Sequence, residues 1–316
     1  MSDKKVIAVV GATGAQGGGV ARAILADPDG GFALRALTRD VSKDSAKALA
    51  DQGAEVVQAD IDDEASVTAA FQGAYGAYCL TNFWEHFSGD REVTQAGNMA
   101  LAAKAAGIQH AIWSTFEDTR DWVPLDDDRM PTLQEHYKVA HFDAKASADH
   151  FFTDAGVPTT FLYTSFYWEN LIFFGNGPAR GEDGVLAVTF PLGTAKMPSI
   201  AAEDIGRFAY RIFNDRERFV GKTVGVAGAH LSGQDFADAL TNALGEEVRY
   251  NDVPADVFRS FGFPGADDVG NMFQFKRDFE DVYRGNRDLG LVRELTPSVQ
   301  SFESWLTVNK DRIPIG

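Results

Sequence analysis

The sequence contains one cysteine, Cys79, among its 316 residues. A single cysteine excludes an intramolecular disulfide and any zinc site built from several thiolates. Cys79 stands in the apolar run AYCLT, where a buried, unreactive side chain is expected. The six histidines show no HxxxH or HExxH spacing, so the sequence predicts no metal site.

The sequence also lacks an apolar run of the roughly 20 residues that a membrane-spanning helix requires. Its richest candidate, FLYTSFYWENLIFF, is interrupted by Glu169 and Asn170. The N-terminal run VIAVVG is too short for the core of a signal peptide, and it lacks a small-residue cleavage site. We therefore expect a cytoplasmic protein without a membrane segment.

Basic residues are few, because 29 Lys and Arg stand against 46 Asp and Glu, a formal net charge of −17. Such a surface repels nucleic-acid phosphates, so we expect no nucleic-acid partner. The excess of acid is typical of solubility or of adaptation to salt. A local basic patch around an anionic cofactor remains compatible with it.

What the sequence does contain is an alternation of short apolar runs with Ala-rich amphipathic segments. The predicted strands are residues 6–11, 33–38, 54–59, 76–81 and 110–115. The predicted helices between them are residues 18–27, 43–52, 63–72 and 91–106. This alternation predicts an α/β fold with a doubly wound parallel Rossmann sheet.

We expect a Rossmann domain over residues 1–156 and a smaller C-terminal α/β lobe over residues 166–316. Strands predicted near 157–165 and 223–228 are expected to join the sheet of the first domain. Further predictions are a charged loop at 118–135 and helices at about 134–155, at 201–215 and at 232–245, the last capped by Ser232 and closed by Gly245.

The glycine-rich stretch GATGAQGGG follows the first predicted strand and opens the first helix. Gly11 permits a tight turn, Gly14 lets the backbone approach a pyrophosphate, and Gly17 lets the helix pack closely on the strand. The phosphate would lie on N–H groups at the positive end of the helix. This context predicts dinucleotide binding, and the alternative is a turn in a fold that no longer binds a ligand.

The second predicted strand ends in Thr38-Arg39, where an NAD-specific site would place an acidic residue for the ribose 2′-hydroxyl. Arg39 offers a donor fork for a 2′-phosphate, and Lys43 follows four residues later. We therefore expect NADP(H) rather than NAD(H). The alternative is that both are solvated charges at the start of a helix.

Several segments together resemble the NmrA-like family, atypical members of the short-chain dehydrogenase superfamily. The segments are GATGAQGG, TRD, QGAEVVQAD, LTNFWE, AHFDAK, GVPTTFLYTSFYWENL and FGFPGADDVGNMF. The resemblance covers residues 4 to about 310. It implies an NADP(H)-binding Rossmann core with a smaller C-terminal lobe.

The resemblance also implies a set of cofactor contacts, some of which fall at the ends of predicted strands. These are Gly11, Ala12, Thr13, Gly14, Ala15, Gln16, Gly17, Arg39, Lys43, Asp60, Ile61, Thr81, Asn82, Phe83 and Lys145. It further implies that Tyr167, Trp168, Glu169 and Asn170 close over the nicotinamide end.

The stretch YKVAHFDAK departs from the dehydrogenase pattern, in which a catalytic Tyr precedes a Lys by four residues on one helix. Here His141 precedes Lys145, and the two share a helical face. Lys145 is expected to bind the ribose hydroxyls, with a solvated charge as the alternative. His141 could donate a proton near neutral pH, or it packs beside the nicotinamide or makes a structural hydrogen bond. Tyr137, one helical step further back, is poorly placed to replace the missing Tyr.

Other polar and aromatic residues are candidates for the same neighbourhood. Ser114 and Thr115 end the fifth strand, where they could polarise a carbonyl or satisfy backbone groups. Tyr167 is a further candidate donor at the nicotinamide end. The neighbouring aromatic side chains could form a pocket for a flat quinone-like substrate or ordinary core.

Two functions remain open at this point. The first is an NADP(H)-binding redox sensor or regulator that signals through a protein partner and has a degenerate dehydrogenase site. The second is an NADPH-dependent oxidoreductase acting on quinones or conjugated carbonyls. The sequence leaves the oligomeric state open, with a homodimer as one alternative.

The Arg39→Asp variant tests the predicted cofactor preference. The substitution places a carboxylate where the guanidinium would bind the 2′-phosphate, so the dissociation constant for NADPH should rise by far more than that for NADH. Titration of both nucleotides by nicotinamide fluorescence measures the two constants. Equal effects on both nucleotides would refute the assignment of Arg39.

Overall fold

The structure is a computed structural model that describes residues 4–315. Over these residues the chain forms thirteen strands and fifteen α-helices. The strands are β1 (Lys5–Val9), β2 (Phe32–Thr38), β3 (Glu55–Gln58), β4 (Gly76–Cys79), β5 (His110–Thr115), β6 (Thr159–Tyr163), β7 (Phe166–Tyr167), β8 (Ala179–Arg180), β9 (Leu186–Phe190), β10 (Met197–Ile200), β11 (Thr223–Gly225), β12 (Ala229–Leu231) and β13 (Val248–Asp252).

Among the helices, α1 to α6 alternate with the first strands, and α10 to α15 fill most of the C-terminal third of the chain. The helices are α1 (Ala15–Leu25), α2 (Asp44–Asp51), α3 (Glu64–Phe71), α4 (Gly89–Ala105), α5 (Ala140–Ser147), α6 (Asp149–Asp154), α7 (Asn170–Phe173), α8 (Ala202–Asn214), α9 (Arg216–Phe219), α10 (Gly233–Leu244), α11 (Ala255–Arg259), α12 (Ala266–Asp278), α13 (Glu280–Gly285), α14 (Leu289–Leu295) and α15 (Phe302–Asn309). Short 3-10 turns occupy Phe83–Glu85, Thr119–Asp121 and Lys310–Arg312.

The chain divides into two compact units whose segments alternate along the sequence. The first unit comprises the chain up to Asp118, His141–Thr164 and Ile205–Val224, and the second comprises the remainder. The strands expected near 157–165 and 223–228 are present as β6 and β11, and the expected ranges 1–156 and 166–316 stay a prediction. The first unit takes up its last two strands late in the chain, so segments of the second unit lie between them in sequence.

The first unit is built on a seven-stranded sheet with the order β11-β6-β5-β4-β1-β2-β3. Neighbouring strands in the stretch β6-β5-β4-β1-β2-β3 of this sheet all pair in parallel. The strand order reverses between β1 and β4, which is the point where open α/β sheets bind ligands at their carboxyl ends. The predicted doubly wound fold is confirmed.

The central strands are buried because helices cover both faces of a doubly wound sheet. Ile7, Ala8 and Val9 of β1 are fully buried, and all of β5 is buried. Helices α1 and α8 meet where Gly206 faces the backbone of Gly19. A β-carbon added at Gly206 would lie 2.0 Å from the carbonyl carbon of Gly19. This contact therefore requires a glycine.

The second unit contains two three-stranded sheets, with the orders β12-β10-β7 and β13-β9-β8. Its helix α10 has the ends predicted from the sequence. Ser232 Oγ accepts from Asp235 N–H while the Asp235 carboxylate accepts from Ser232 N–H, which is a capping box. Gly245 ends the helix in the left-handed region with φ 78°.

The helix predicted at about 134–155 is wrong at its start and is interrupted. Gln134 and Glu135 have φ of 45° and 68°, which an α-helix does not accommodate. Leu133 and Tyr137 form an isolated bridge instead. The helix begins only at Ala140 and is interrupted at Ala148. Tyr137 therefore precedes the helix.

Within the second unit, α12 holds the segment that leads to α5. The Asp268 carboxylate accepts from the N–H of Ala140, which is the first residue of α5. The Asn271 side chain donates to the carbonyl of Pro131 at 2.9 Å, and that of Gln274 donates to the carbonyl of Arg129 at 2.8 Å. The stretch FGFPGADDVGNMF therefore forms a turn and then a helix that anchors residues 129–140.

The Gly206→Ala variant tests the close helix contact in the first unit. The added methyl group has no space beside Gly19, so we expect the free energy of unfolding to fall by roughly 3 kcal/mol. Urea denaturation measures it. Gly31→Ala is the matched control, because Gly31 is exposed and has no atom within 4 Å of the added β-carbon. Equal stability of the two variants would contradict this packing.

Candidate functional site

The glycine turn joins β1 to α1 at the carboxyl edge of the sheet. Gly11 has φ 62°, in the left-handed region that favours glycine. A β-carbon at Gly17 would lie 2.4 Å from the Gly11 carbonyl oxygen and 2.6 Å from that of Val10. Gly11 therefore makes the turn and Gly17 permits the close packing, as the sequence predicts.

The first turn of α1 fits an anionic group. The first turn of a helix presents backbone N–H groups that lack partners within the helix. No acidic residue lies in this turn, and Thr13, Gly14 and Ala15 are exposed beside it. A β-carbon at Gly14 would approach only the Gly11 carbonyl oxygen, at 3.3 Å. The turn is therefore accessible from solvent, as the predicted pyrophosphate contact requires, whereas Ala12 is buried beneath it.

The side chain of Gln16 lies against the sheet. Its amide nitrogen donates to Tyr78 Oη and to Ser114 Oγ, both at 2.7 Å. Ser114 is buried near the carboxyl end of β5, and its hydroxyl has Gln16 as a structural partner. This contact favours the structural role for Ser114, and it links the glycine turn to the sheet.

Thr115 and Trp113 of β5 both contact Asp149. The indole N–H of Trp113 donates to the Asp149 carboxylate at 2.8 Å. Burial raises the pKa of Asp149 to about 7, although hydrogen bonds from Thr115 and Trp113 oppose the shift. These contacts favour a structural role for Thr115 as well. The Lys145 ammonium lies 5.8 Å from the centre of the Trp113 ring.

Arg39 lies directly after β2, where the ribose 2′ position is expected. Its side chain is 62% exposed, and its guanidinium forms an ion pair with the Glu85 carboxylate. Lys43 is exposed at the N-terminal boundary of α2. Two cations therefore flank this position, and one of them already has an acidic partner.

Asp60 and Ile61 follow β3 and are held by local contacts. Asp60 accepts from the Asp62 N–H at 3.0 Å, and the Ile61 carbonyl accepts from Asn98 Nδ2 at 3.0 Å. Asp62 forms an ion pair with Arg91, and the hydrogen bond from Arg91 lowers the pKa of Asp62. The loop therefore has a defined shape at the edge where an adenine is expected.

Lys145 joins the end of β4 to two helices. Its ammonium donates to the Thr81 carbonyl at 3.1 Å and to the Thr81 hydroxyl. It also forms an ion pair with Glu92 of α4 at 2.9 Å. Lys145 is 7% exposed and Glu92 is 1% exposed. Lys145 is therefore a positioned, buried cation, and a purely solvated charge is wrong.

Glu92 was not predicted from the sequence, but a signal for it exists. It shares the buried face of α4 with Gln95, Ala96 and Met99, at helical spacing. A carboxylate on an apolar face requires a partner, because burying an unpaired charge is costly. Glu92 Oε2 has no hydrogen-bond partner among the described residues.

His141 is packed among aromatic rings. Its ring centre lies 4.9 Å from that of Trp84 and 5.9 Å from that of Phe83, and Phe116 and Phe142 contact it as well. His141 is 6% exposed. This environment favours the packing role, and the assignment of His141 as a proton donor stays a prediction.

Asn82 and Phe83 complete the segment after β4. The 3-10 turn Phe83–Glu85 is closed by the Glu85 N–H, which donates to the Asn82 carbonyl at 3.2 Å. Phe83 is buried and contacts the rings of Trp84 and His141. The first unit thus brings the glycine turn, Arg39, Thr81–Phe83, His141 and Lys145 to its own sheet edge.

Residues Tyr167 to Asn170 belong to the second unit, where the side chains of Trp168 and Glu169 have structural contacts. Trp168 is fully buried against Phe302 and Trp305. Glu169 accepts from the Ala202 N–H at 2.9 Å and from the indole of Trp305 at 3.2 Å, and burial raises its pKa. Tyr167 is partly buried in β7, and Asn170 begins α7. Their contact with the nicotinamide end stays a prediction.

Burial raises the pKa of the Cys79 thiol, which is consistent with the unreactive side chain expected for this residue. No helix of the described chain is long and apolar enough to cross a membrane. Within residues 4–315, no group of three or more His, Cys, Asp and Glu side chains is arranged to hold a metal ion.

The sheet order and the glycine turn define an α/β protein with a Rossmann-type fold. The sequence model of the NmrA-like family matches residues 3–306. This chain belongs to the NmrA-like family, so the resemblance carried by its motifs is confirmed. It is 31% identical over 288 residues to the NmrA-like family domain-containing oxidoreductase FrzB of Cladobotryum sp, covering 85% of this chain and 83% of that protein.

Solved structures share the fold over nearly the whole chain. NmrA, a negative transcriptional regulator, in complex with NADP has a TM-score of 0.78 at 22% identity, covering 96% of this chain and 95% of that chain. NmrA has also been solved in complex with NAD. The NADPH-dependent quinone oxidoreductase QOR2 of Escherichia coli, complexed with NADPH, has a TM-score of 0.71 at 22% identity, covering 95% and 98%.

The Lys145→Met variant tests the buried ion pair. It leaves the Glu92 carboxylate buried without its cation, so the free energy of unfolding should fall by about 3–5 kcal/mol. Adding Glu92→Leu should recover part of that loss, and a double-mutant cycle by urea denaturation gives the coupling. A loss below about 1 kcal/mol in the single variant would contradict a buried, charged pair.

Proposed function

We propose that this protein binds NADP(H) and acts as a redox sensor or regulator with a degenerate dehydrogenase site. The observation that carries the proposal is a complete glycine turn beside a proton-donor position occupied by His141. A chain that keeps the cofactor-binding geometry and loses the catalytic Tyr is suited to binding without rapid turnover.

The choice of NADP(H) is supported by the charges at the end of β2. Arg39 and Lys43 supply two cations where an NAD-specific site would place a carboxylate. NmrA, which shares the fold, has been solved with NADP and with NAD. We therefore propose NADP(H) as the cofactor, with discrimination against NAD(H) that depends on Arg39.

The proposed loss of acid chemistry is supported by the surroundings of the two candidate groups. The imidazole of His141 is enclosed by aromatic rings, and the Lys145 ammonium is bonded to Thr81 and Glu92. Bound NADPH supplies a hydride. In our proposal Lys145 orients the ribose, and the rings of Phe83 and Trp84 exclude water from the nicotinamide side.

A sensor needs a segment that differs between cofactor states. Residues 81–90 are suited to this, because Thr81 bonds to Lys145 and Trp84 contacts His141. We propose that this segment is arranged differently when NADPH is bound, and that the loops at 118–135 and 166–184 change in the same way. A protein partner would then recognise the altered surface.

The second candidate is an NADPH-dependent reductase of quinones or conjugated carbonyls. Curated relatives such as FrzB are named oxidoreductases, and QOR2 is named a quinone oxidoreductase. A quinone needs little acid assistance, because its ring stabilises the product anion. The enclosed His141 is therefore compatible with this class of acceptor, whereas a simple ketone would require a proton donor.

Nicotinamide fluorescence distinguishes the two candidates. Purified protein is titrated with NADPH and with NADH, and quinones, enones and simple ketones are then added. Tight NADPH binding without consumption on any acceptor supports the sensor. Rapid consumption on a quinone or enone supports the reductase, and fast turnover of simple ketones alone would contradict both.

If turnover is observed, two variants locate the proton donor. His141→Gln removes the titrating imidazole, and Tyr167→Phe removes only a hydroxyl. A donor's loss should lower turnover of conjugated carbonyls more than that of quinones, because the enolate product needs the proton more. If the ratio of conjugated-carbonyl turnover to quinone turnover is unchanged in both variants, neither residue is the donor.

A further inference from the structure

Glu85 forms an ion pair with Arg39, the cation that is expected to bind the cofactor. Its carboxylate pairs with the Arg39 guanidinium, and the two side chains are 45% and 62% exposed. Arg39 lies 46 residues earlier, directly after β2. The pair therefore connects the adenosine end of the expected site to the segment that follows β4.

Neighbouring carboxylates have other partners. Asp40 accepts from the hydroxyl and the N–H of Ser42, and these hydrogen bonds lower its pKa. Asp62 is paired with Arg91 at the end of β3. Among the ion pairs of the described chain, Arg39 is paired with Glu85 alone.

The position of Glu85 is restricted by its turn. The Phe83–Glu85 turn is closed by the Glu85 and His86 N–H groups, which donate to the carbonyls of Asn82 and Phe83 at 3.2 and 3.1 Å. Phe83 and Trp84 anchor the turn against His141. The Glu85 side chain can rotate away from Arg39, but its backbone keeps the carboxylate within a side-chain length of it.

We propose that Glu85 sets the preference between NADPH and NADH by competing with the 2′-phosphate for Arg39. The inference rests on the proposed function, because it places the adenosine ribose beside Arg39. A 2′-phosphate must displace the carboxylate and then lies close to a like charge. NADH has a 2′-hydroxyl, which leaves the ion pair intact and can donate to the carboxylate.

Glu85→Gln removes this competitor while keeping the shape of the side chain. The dissociation constant for NADPH should fall roughly three- to tenfold, as expected for a screened like charge at short range. NADH binding should stay within about twofold or weaken. Adenosine 2′,5′-bisphosphate should show the same gain as NADPH, whereas adenosine 5′-monophosphate should not, and calorimetry measures both.

Glu55→Gln is the matched control. Glu55 is the first residue of β3 and pairs at 2.8 Å with Arg35 in the middle of β2, so its loss removes one exposed charge from the same sheet, away from the carboxyl ends of the strands. It should leave all four ligands within about twofold. The gain in Glu85→Gln should also shrink at high salt.

The outcomes separate this inference from the proposed function. Equal gains for NADPH and NADH in Glu85→Gln, or weaker NADPH binding, would overturn the role of Glu85 while the proposed function stands. An equally large gain in NADPH affinity in Glu55→Gln would show that the effect comes from net charge alone, and it would overturn the role of Glu85 as well. Wild-type protein that binds neither nucleotide would overturn the proposed function, and this inference with it.

Discussion

The buried ammonium of Lys145 is the constraint on which the site of the first unit depends. It ties α5 to α4 through Glu92 and to the end of β4 through Thr81. An unpaired charge at this depth would be costly, so separating any of the three elements from Lys145 would destabilise the unit. The residue that would hold the ribose therefore also holds the wall of the site in place.

The alternation of apolar runs predicted all seven strands of the sheet, because strands buried on both faces are continuous apolar segments. The glycine roles also followed from spacing, since a turn and a close contact each require a missing side chain. The start of α5 could not be predicted. It depends on left-handed residues at 134 and 135 and on Asp268, which is distant in sequence. Helical periodicity contains no information about such a partner.

The site residues divide in the same way. Arg39 and Lys145 were accessible from their positions after a strand and within a motif. Their acidic partners, Glu85 and Glu92, were not, because an ion pair joins residues that only the folded sheet brings together. For Glu92 the sequence contained one signal, a carboxylate on the buried face of α4, which indicates that a partner is needed but not which one. The exposed Glu85 gave no such signal.

The anchoring of residues 129–140 by α12 has a consequence for synthesis of the chain. Asp268, Asn271 and Gln274 leave the ribosome more than a hundred residues after the backbone groups that they bond. Until then the N–H of Ala140 lacks this acceptor, and the segment before α5 lacks its support. The hydrogen bond at the start of the helix that carries His141 and Lys145 therefore forms late in synthesis. A nascent chain that stops before residue 268 cannot form it.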